Sequence, residues 1–531
     1  MENQSISSAA IEPRSPQGDF VNEPFVDFKA QENARAMRAA LDRVVGQLGR
    51  EYPLIIGGER IETEKKIHSI NPARPAQVVG VHQQAGAAEV EPAMKAALKA
   101  FESWSRTPVE TRVSLLLGAA ATIRQQHFEF CAWLTYEVGK NWAEADADVG
   151  ETIDFLEFYA REALRLAAAK TPIQFPGERN ELHYVPLGVG AVIPPWNFPF
   201  AIMAGMTAAA IVCGNTVVLK PSSDAPTIAA KFMEVLEEAG LPAGVVNFCP
   251  GSGATFGNAL VEHPQVRFIS FTGSKAVGLQ IHERAARTPP GQIWIKRTVL
   301  EMGGKDSILV CADADLDAAV AAVAASAFGF SGQKCSACSR AIIETPVYEE
   351  FIARLLKCVA KLTVGDPVEN HNLGPVVNEG ALKSMLIYIE KGKQEGRLIA
   401  GGRAVETADG GYFLEPTVFA GIAPDAVLAQ EEVFGPVLAL IEVASFEEGL
   451  KVANNTEYGL TGSIYSTDRK KLDIARREFH VGNLYFNRKC TGAMVGAHPF
   501  GGFNMSGTDS KAGGPDYLLL FTQAKSVGEK L

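Results

Sequence analysis

Cys335 stands in the run Phe330-Ser331-Gly332-Gln333-Lys334-Cys335-Ser336, between a helix-like segment and a strand-like one. Loops at the ends of α/β elements are where active sites collect. A thiol flanked there by Gly, Lys and Ser is a candidate nucleophile, with Lys334 and nearby N–H groups as stabilisers of its thiolate. The competing reading is a structural cysteine, the reading given to Cys131, Cys213 and Cys358 in their apolar runs. Cys335 and Cys338 form a lone CxxC. A zinc site needs a second pair or histidines at ligand spacing, and the sequence offers neither, so no metal is expected. A redox dithiol would open a helix, whereas this pair precedes a strand.

Glu301 precedes Met302-Gly303-Gly304-Lys305, where glycines allow close backbone approach. Its carboxylate is either a general base or a solvated turn residue. Asn197, in Pro194-Pro195-Trp196-Asn197-Phe198-Pro199, either donates its amide to an oxyanion or caps the helix that follows. Gly251-Ser252-Gly253-Ala254-Thr255-Phe256-Gly257 resembles a dinucleotide fingerprint with its last spacing one residue too long, and tight turns use glycine for structure alone. Phe271-Thr272-Gly273-Ser274-Lys275 is a second strand-to-helix junction, read either as an anion site or as ordinary capping.

The elements that must hold these residues alternate. Gly190–Ile193, Thr216–Leu219, Val245–Phe248 and Phe268–Phe271 are predicted strands, separated by helices at 201–213, 226–240 and 254–263, with another at 275–287. Such alternation implies a doubly wound parallel sheet. A second series begins near Glu301, with strands at 307–310 and 340–344 and helices at 316–330 and 347–362. Before both lie helices at 31–50, 87–104, 109–126, 128–137 and 144–168, and a strand pair turning at Gly57-Gly58. Residues 1–30 are polar, a tail or an arm wrapping the body. The stretch 171–188, with its Pro-Gly-Glu-Arg-Asn turn, reads as a hairpin that could pair with another subunit. The last 30 or so residues read as loop around the apolar Tyr517–Phe521.

With 531 residues and 47% hydrophobic composition, the chain is long enough for several cores and is not disordered. Its net charge of −11 argues against nucleic-acid binding. Eight dispersed cysteines read as reduced thiols in a cytosol-like compartment. The longest apolar run, Ala201–Cys213, is too short to span a bilayer. A cytoplasmic location is expected.

Taken together, PPWNFPF (194–200), VVLKPSS (217–223), FTGS (271–274), LEMGGKD (300–306), GQKCSA (332–337), EEVFGPV (431–437) and PFGGFNMSG (499–507) resemble the NAD(P)-dependent aldehyde dehydrogenases. The likeness runs from about residue 50 to near the end. QKCSACSR, VGKNWAEADADVGETIDF (138–155) and 479–502 resemble, more narrowly, the 1-pyrroline-5-carboxylate (glutamate-γ-semialdehyde) dehydrogenase branch, in its monofunctional form.

The resemblance implies an α/β fold: a Rossmann-type NAD domain (1–170 with 193–300), a catalytic domain (301–507), and a small β oligomerisation arm (171–192 with 508–531). It implies Cys335 as nucleophile, Asn197 as oxyanion donor and Glu301 as the base that activates water. It implies cofactor contacts from Ile193, Pro195, Trp196, Lys220, Ser222, Ser223, Gly253, Phe271, Thr272, Gly273, Ser274, Glu301, Gly303, Glu432 and Phe434. Substrate contacts fall to Glu151, Phe198, Lys334, Ser336, Gly492, Ala493 and Phe500. Many NAD-preferring members carry Glu where this chain has Ser223. A carboxylate there would repel a 2′-phosphate, so NAD is expected with NADP also accommodated. The partners implied are a small-molecule substrate and copies of the same chain, as a homodimer or dimer-based hexamer, with no membrane and no nucleic acid. Two alternatives stand beside this: another semialdehyde dehydrogenase, such as one for succinic semialdehyde, and a non-catalytic structural homologue.

Overall fold

The computed structural model describes residues 14–15, 18–168 and 172–531. Two seven-stranded sheets organise it. The first runs, strand beside strand, Arg297–Glu301, Val266–Thr272, Val189–Ile193, Thr216–Leu219, Val246–Phe248, Leu54–Ile56 and Glu59–Ile61. Its first five strands are mutually parallel and its last two add antiparallel. Parallel strands need helices on both faces, which is why their sequences are apolar without alternation. Val192 points into one core with the helices 109–125, 127–138 and 142–167, while Ala191 and Ile193 point into the other.

The second sheet runs Arg397–Ala400, Thr417–Ala420, Val437–Val443, Arg340–Glu344, Ser307–Val310, Thr461–Tyr465 and Asn483–Phe486, parallel except at its first strand. It too is covered twice: Ile308 and Val310 face one core, Leu309 and Cys311 the other. A separate three-stranded sheet (Arg50–Tyr52, Arg74–Gln83, Lys66–Asn71) lies on the first unit.

Three expectations are corrected. Val189–Ile193 is the third strand of the first sheet and not part of an arm. Among the described residues, 172–188 form no hairpin of their own; Glu178–Pro186 pairs antiparallel with Thr522–Lys530, in a register from Pro186–Thr522 to Glu178–Lys530. The C-terminal residues are therefore a strand, missed because TQAKSVGEK is polar on both faces and a two-stranded ribbon leaves both faces wet. The stretch before that strand packs on the body: Tyr517, Leu518 and Phe521 are buried in the first core.

Candidate active site

The parallel strands of the two sheets end toward a common cleft. Glu301 is the last residue of its strand and lies in register with Thr272 on the neighbouring strand. The loop carrying Cys335 leaves the helix Leu316–Phe328 through Phe330 (φ 49°), Ser331 (φ 52°) and Gly332 (φ 69°). Two consecutive non-glycine residues in the left-handed region cost about 1–3 kcal/mol each and persist only where the surroundings dictate them. Ser331 donates its hydroxyl to the Gly374 carbonyl (2.7 Å). Gln333 is fully buried, donating to the Pro375 carbonyl (3.3 Å) and accepting from the Val377 N–H (2.9 Å). Sequence reasoning assigned no role to Gln333, because a buried amide leaves no periodic trace.

Two cavities meet at this loop. The first, about 680 Å³, is lined by Ile193, Pro195, Trp196, Asn197, Lys220, Ser222, Ser223, Gly253, Phe271, Thr272, Gly273, Ser274, Gly303, Glu432, Phe434 and Cys335. The expected cofactor contacts thus share one wall system, except Glu301. The second, about 390 Å³, is lined by Glu151, Phe198, Lys334, Ser336, Gly492, Ala493 and Phe500, with Glu301, Thr272 and Cys335. All the expected substrate contacts fall there. Cys335 and Thr272 line both cavities, so a thiol sits where the two open onto each other.

Asn197 does not cap the helix Ala201–Val212, whose cap position is Phe200. Its Nδ2 instead donates to the Gln333 carbonyl (3.0 Å), bringing an amide beside the Cys335 loop. Glu301 Oε1 accepts from the Ser510 hydroxyl (2.6 Å), while Oε2 is buried without a partner among the described residues. Burial pushes the Glu301 carboxyl up to about 8, with the Ser510 hydroxyl pulling the other way. Ser510 was missed: it lies more than 200 residues away and only folding brings it here.

Burial also pushes the Cys335 thiol well above its usual range, and the Asp306, Glu432 and Glu301 carboxylates add to this. Lys334 does not offset it as expected, because its Nζ is committed to Glu144 (2.6 Å). Lys489 joins Lys334 around Glu144 on the second cavity and was also missed. Glu151 is no solvated helix residue: it faces this cavity, pushed up to about 8 by burial and then by the Asp148 charge. Arg488 braces the 491–493 loop by donating to the Thr491 (3.1 Å) and Gly492 (2.8 Å) carbonyls.

The first cavity suits a dinucleotide. A Cβ at Gly253 would meet nothing within 4 Å, so backbone stands open to the cavity there. A Cβ at Gly303 would meet the Glu432 carboxylate and push it aside, so the glycine leaves that carboxylate its place. Glu432, pushed up to about 7 by burial, accepts from the Gly304 N–H (3.0 Å). Lys220 is buried, donates to the Pro221 carbonyl (3.0 Å) and is brought down to about 8 by burial. Phe434, held at φ 57°, meets Trp196 edge-on with centroids 5.6 Å apart. Ser274 does cap the helix Lys275–Ala286, accepting from the Val277 N–H (3.4 Å), and it lines the cavity as well. Asp224, not singled out from sequence, also lines this cavity and accepts from Asn378 (3.1 Å).

Two doubly wound sheets with a cysteine where their two cavities meet point to one class of protein, and comparison with known sequences names it. Residues 60–527 match the aldehyde dehydrogenase family, and the chain belongs to it. It is 58% identical over 511 residues to the 1-pyrroline-5-carboxylate dehydrogenase of Geobacillus thermodenitrificans (strain NG80-2), covering 96% of this chain and 99% of the relative. Among solved structures, a Thermus 1-pyrroline-5-carboxylate dehydrogenase with bound NAD superimposes with a TM-score of 0.95 at 54% identity, covering 97% of this chain and 99% of that one. The Escherichia coli lactaldehyde dehydrogenase gives a TM-score of 0.86 at 33% identity over 91% of this chain and all (100%) of that one.

Proposed function

We propose that the protein oxidises L-glutamate γ-semialdehyde, the open form of 1-pyrroline-5-carboxylate, to L-glutamate with NAD, in the breakdown of proline. The observation that carries this is the thiol of Cys335 at the junction of the two cavities. In this reading Glu301, sharing the second cavity, takes the thiol proton and Cys335 attacks the aldehyde carbon. Asn197 Nδ2 and the Cys335 backbone N–H receive the oxyanion; losing one such donor costs about 3 kcal/mol. Trp196, Lys220, Glu432 and Phe434 would hold NAD, which supplies a hydride acceptor when bound. Cys335 then carries the acyl group as a thioester. Glu301, having released the thiol's proton to solvent, draws a proton from a water that attacks the thioester carbon and passes it to the departing thiolate, releasing the acid and restoring the thiol.

The second cavity supports an amino-acid aldehyde. Lys489, beside the Lys334–Glu144 pair, offers an ammonium for a carboxylate, with Ser336 and the 492–493 backbone as hydrogen-bonding groups. Glu151 is placed for an α-ammonium group, whose charge would draw its carboxyl back down. Succinic semialdehyde has no ammonium to meet Glu151, and among the described residues no arginine lines this cavity. Ser223 brings no carboxylate against a 2′-phosphate, so NADP is also accommodated, while the neighbouring Asp224 on the same wall favours NAD.

Among the described residues no helix is long and apolar enough to cross a membrane. All eight cysteines are free, which supports a reducing, cytoplasmic setting. The test is NADH formation with pyrroline-5-carboxylate and with succinic semialdehyde. The former should be preferred. Cys335→Ala should lose turnover by about 10⁴-fold or more. Equal rates for variant and parent would remove the nucleophile.

A further inference from the structure

The family match begins at residue 60, yet an N-terminal segment before it touches the second cavity. Residues 20–28 run antiparallel along the helix Trp142–Ala167. Phe20 meets Phe158 edge-on (5.2 Å), the Glu23 N–H donates to Asp154 (2.7 Å), the Val26 N–H donates to Asp146 (3.0 Å), and Phe28 meets Trp142 (5.6 Å). Eight extended steps from Phe20 to Phe28 span about 26 Å, and the sixteen helical steps from Trp142 to Phe158 beneath them about 24 Å, so the strap matches the helix in length. The same helix turns Ala143, Ala147 and Glu151 toward the cavity, one turn apart.

Two strap residues do more than tie it down. Asn22 Nδ2 donates to Asp154 (2.8 Å) and also to the Val495 carbonyl (3.0 Å). Val495 lies in the loop that carries Gly492 and Ala493. Beside it Gly496 (φ +78°) leaves just enough room for the Phe20 and Phe158 rings, which a Cβ there would approach to 3.2 Å. Phe25 keeps 65% of its surface exposed and yet lines the cavity, so its ring stands at the rim. Glu23 is further gripped by Arg124 (2.9 Å), which fixes the chain between these two residues.

We infer that this strap is a wall of the aldehyde site: Asn22 positions the 492–496 loop that receives the substrate's carboxylate end, and Phe25 limits what enters. This rests on the substrate reading above for the identity of the carboxylate-bearing aldehyde, but not for the positioning itself. Asn22 is a positioning residue, since it acts through the loop.

The test uses the full-length protein and four substrates: pyrroline-5-carboxylate, succinic semialdehyde, propanal, which has no carboxylate, and phenylacetaldehyde, which is bulky. In Asn22→Ala the ratio of kcat/KM for carboxylate-bearing aldehydes to that for propanal should fall about tenfold, through KM, as one hydrogen bond to the loop is lost. The KM for NAD should stay within about twofold, because the first cavity shares no strap residue. Phe25→Ala, changing an exposed ring that folding does not depend on, should raise phenylacetaldehyde turnover relative to the semialdehyde by about fivefold or more. Val21→Ala, whose side chain touches no cavity, is the control. An unchanged ratio in a folded Asn22→Ala, or a fall shared equally by all aldehydes, overturns the positioning role. If Asn22→Ala does not fold, unchanged selectivity in Phe25→Ala overturns the wall. If the parent ignores pyrroline-5-carboxylate, the substrate reading falls, while succinic semialdehyde against propanal still decides the strap.

Discussion

Glu301 shows how one residue can be prepared for two proton transfers. The Ser510 hydroxyl fixes one carboxylate oxygen and leaves the other bare in a buried place. Desolvation raises its carboxyl to about 8, so near neutral pH most of the free enzyme holds it protonated. The base form grows as pH rises, so turnover should climb through about pH 8 and level off above it. Glu301→Gln should flatten that limb and lose the initial burst of NADH as well, since the same carboxylate takes the thiol proton before the thioester forms. Stopped-flow traces from pH 6 to 10 check this; an unaltered pH limb in the glutamine variant would assign the titration to another group. Cys335, Glu301 and Asn197 were legible because their motifs recur in family order. Ser510, Gln333 and Lys489 were not, since each matters through a contact made across the fold. Lys334 was misread as the thiol's electrostatic partner because sequence adjacency cannot show that its ammonium is already taken by Glu144.

At the scale of elements, the site depends on loops forced into uncommon backbone. A Cβ on Gly332 would collide with the Gly435 carbonyl, and its φ of +69° disfavours any side chain. The Cys335 loop and the Phe434 loop therefore touch backbone to backbone at this glycine. Gly332→Ala should cost about 1–3 kcal/mol from backbone strain, and it should push Cys335 and Phe434 apart. The expected result is a lower melting temperature together with a fall in kcat larger than the change in NAD affinity, read by calorimetry and steady-state kinetics. The alternating strands and helices were readable because both faces of each sheet are buried and the strands are apolar throughout. The strap was legible only as one of two readings, an arm wrapping the body, without its partners, and the C-terminal strand was not readable, since neither carries a hydrophobic period.

Across the whole molecule, the ribbon of Glu178–Pro186 and Thr522–Lys530 stands out as poorly covered. Isolated two-stranded ribbons are marginal in water, and open edges invite pairing with another chain. The nine residues of Thr522–Lys530 are mostly exposed, and nearby Ile173 and Phe175 expose 97% and 66% of their surface. A second copy of the chain covering them would account for large apolar side chains this bare at the base of a ribbon. Removing residues 522–531 should strip Glu178–Pro186 of its partner and yield a smaller species by light scattering than the intact protein gives. NAD should still bind, because neither cavity takes a wall from the ribbon. If the intact protein scatters as a monomer, the ribbon is an ornament of the fold and the exposed isoleucine and phenylalanine need another covering; if the truncated chain keeps the full assembly mass, the subunits meet elsewhere.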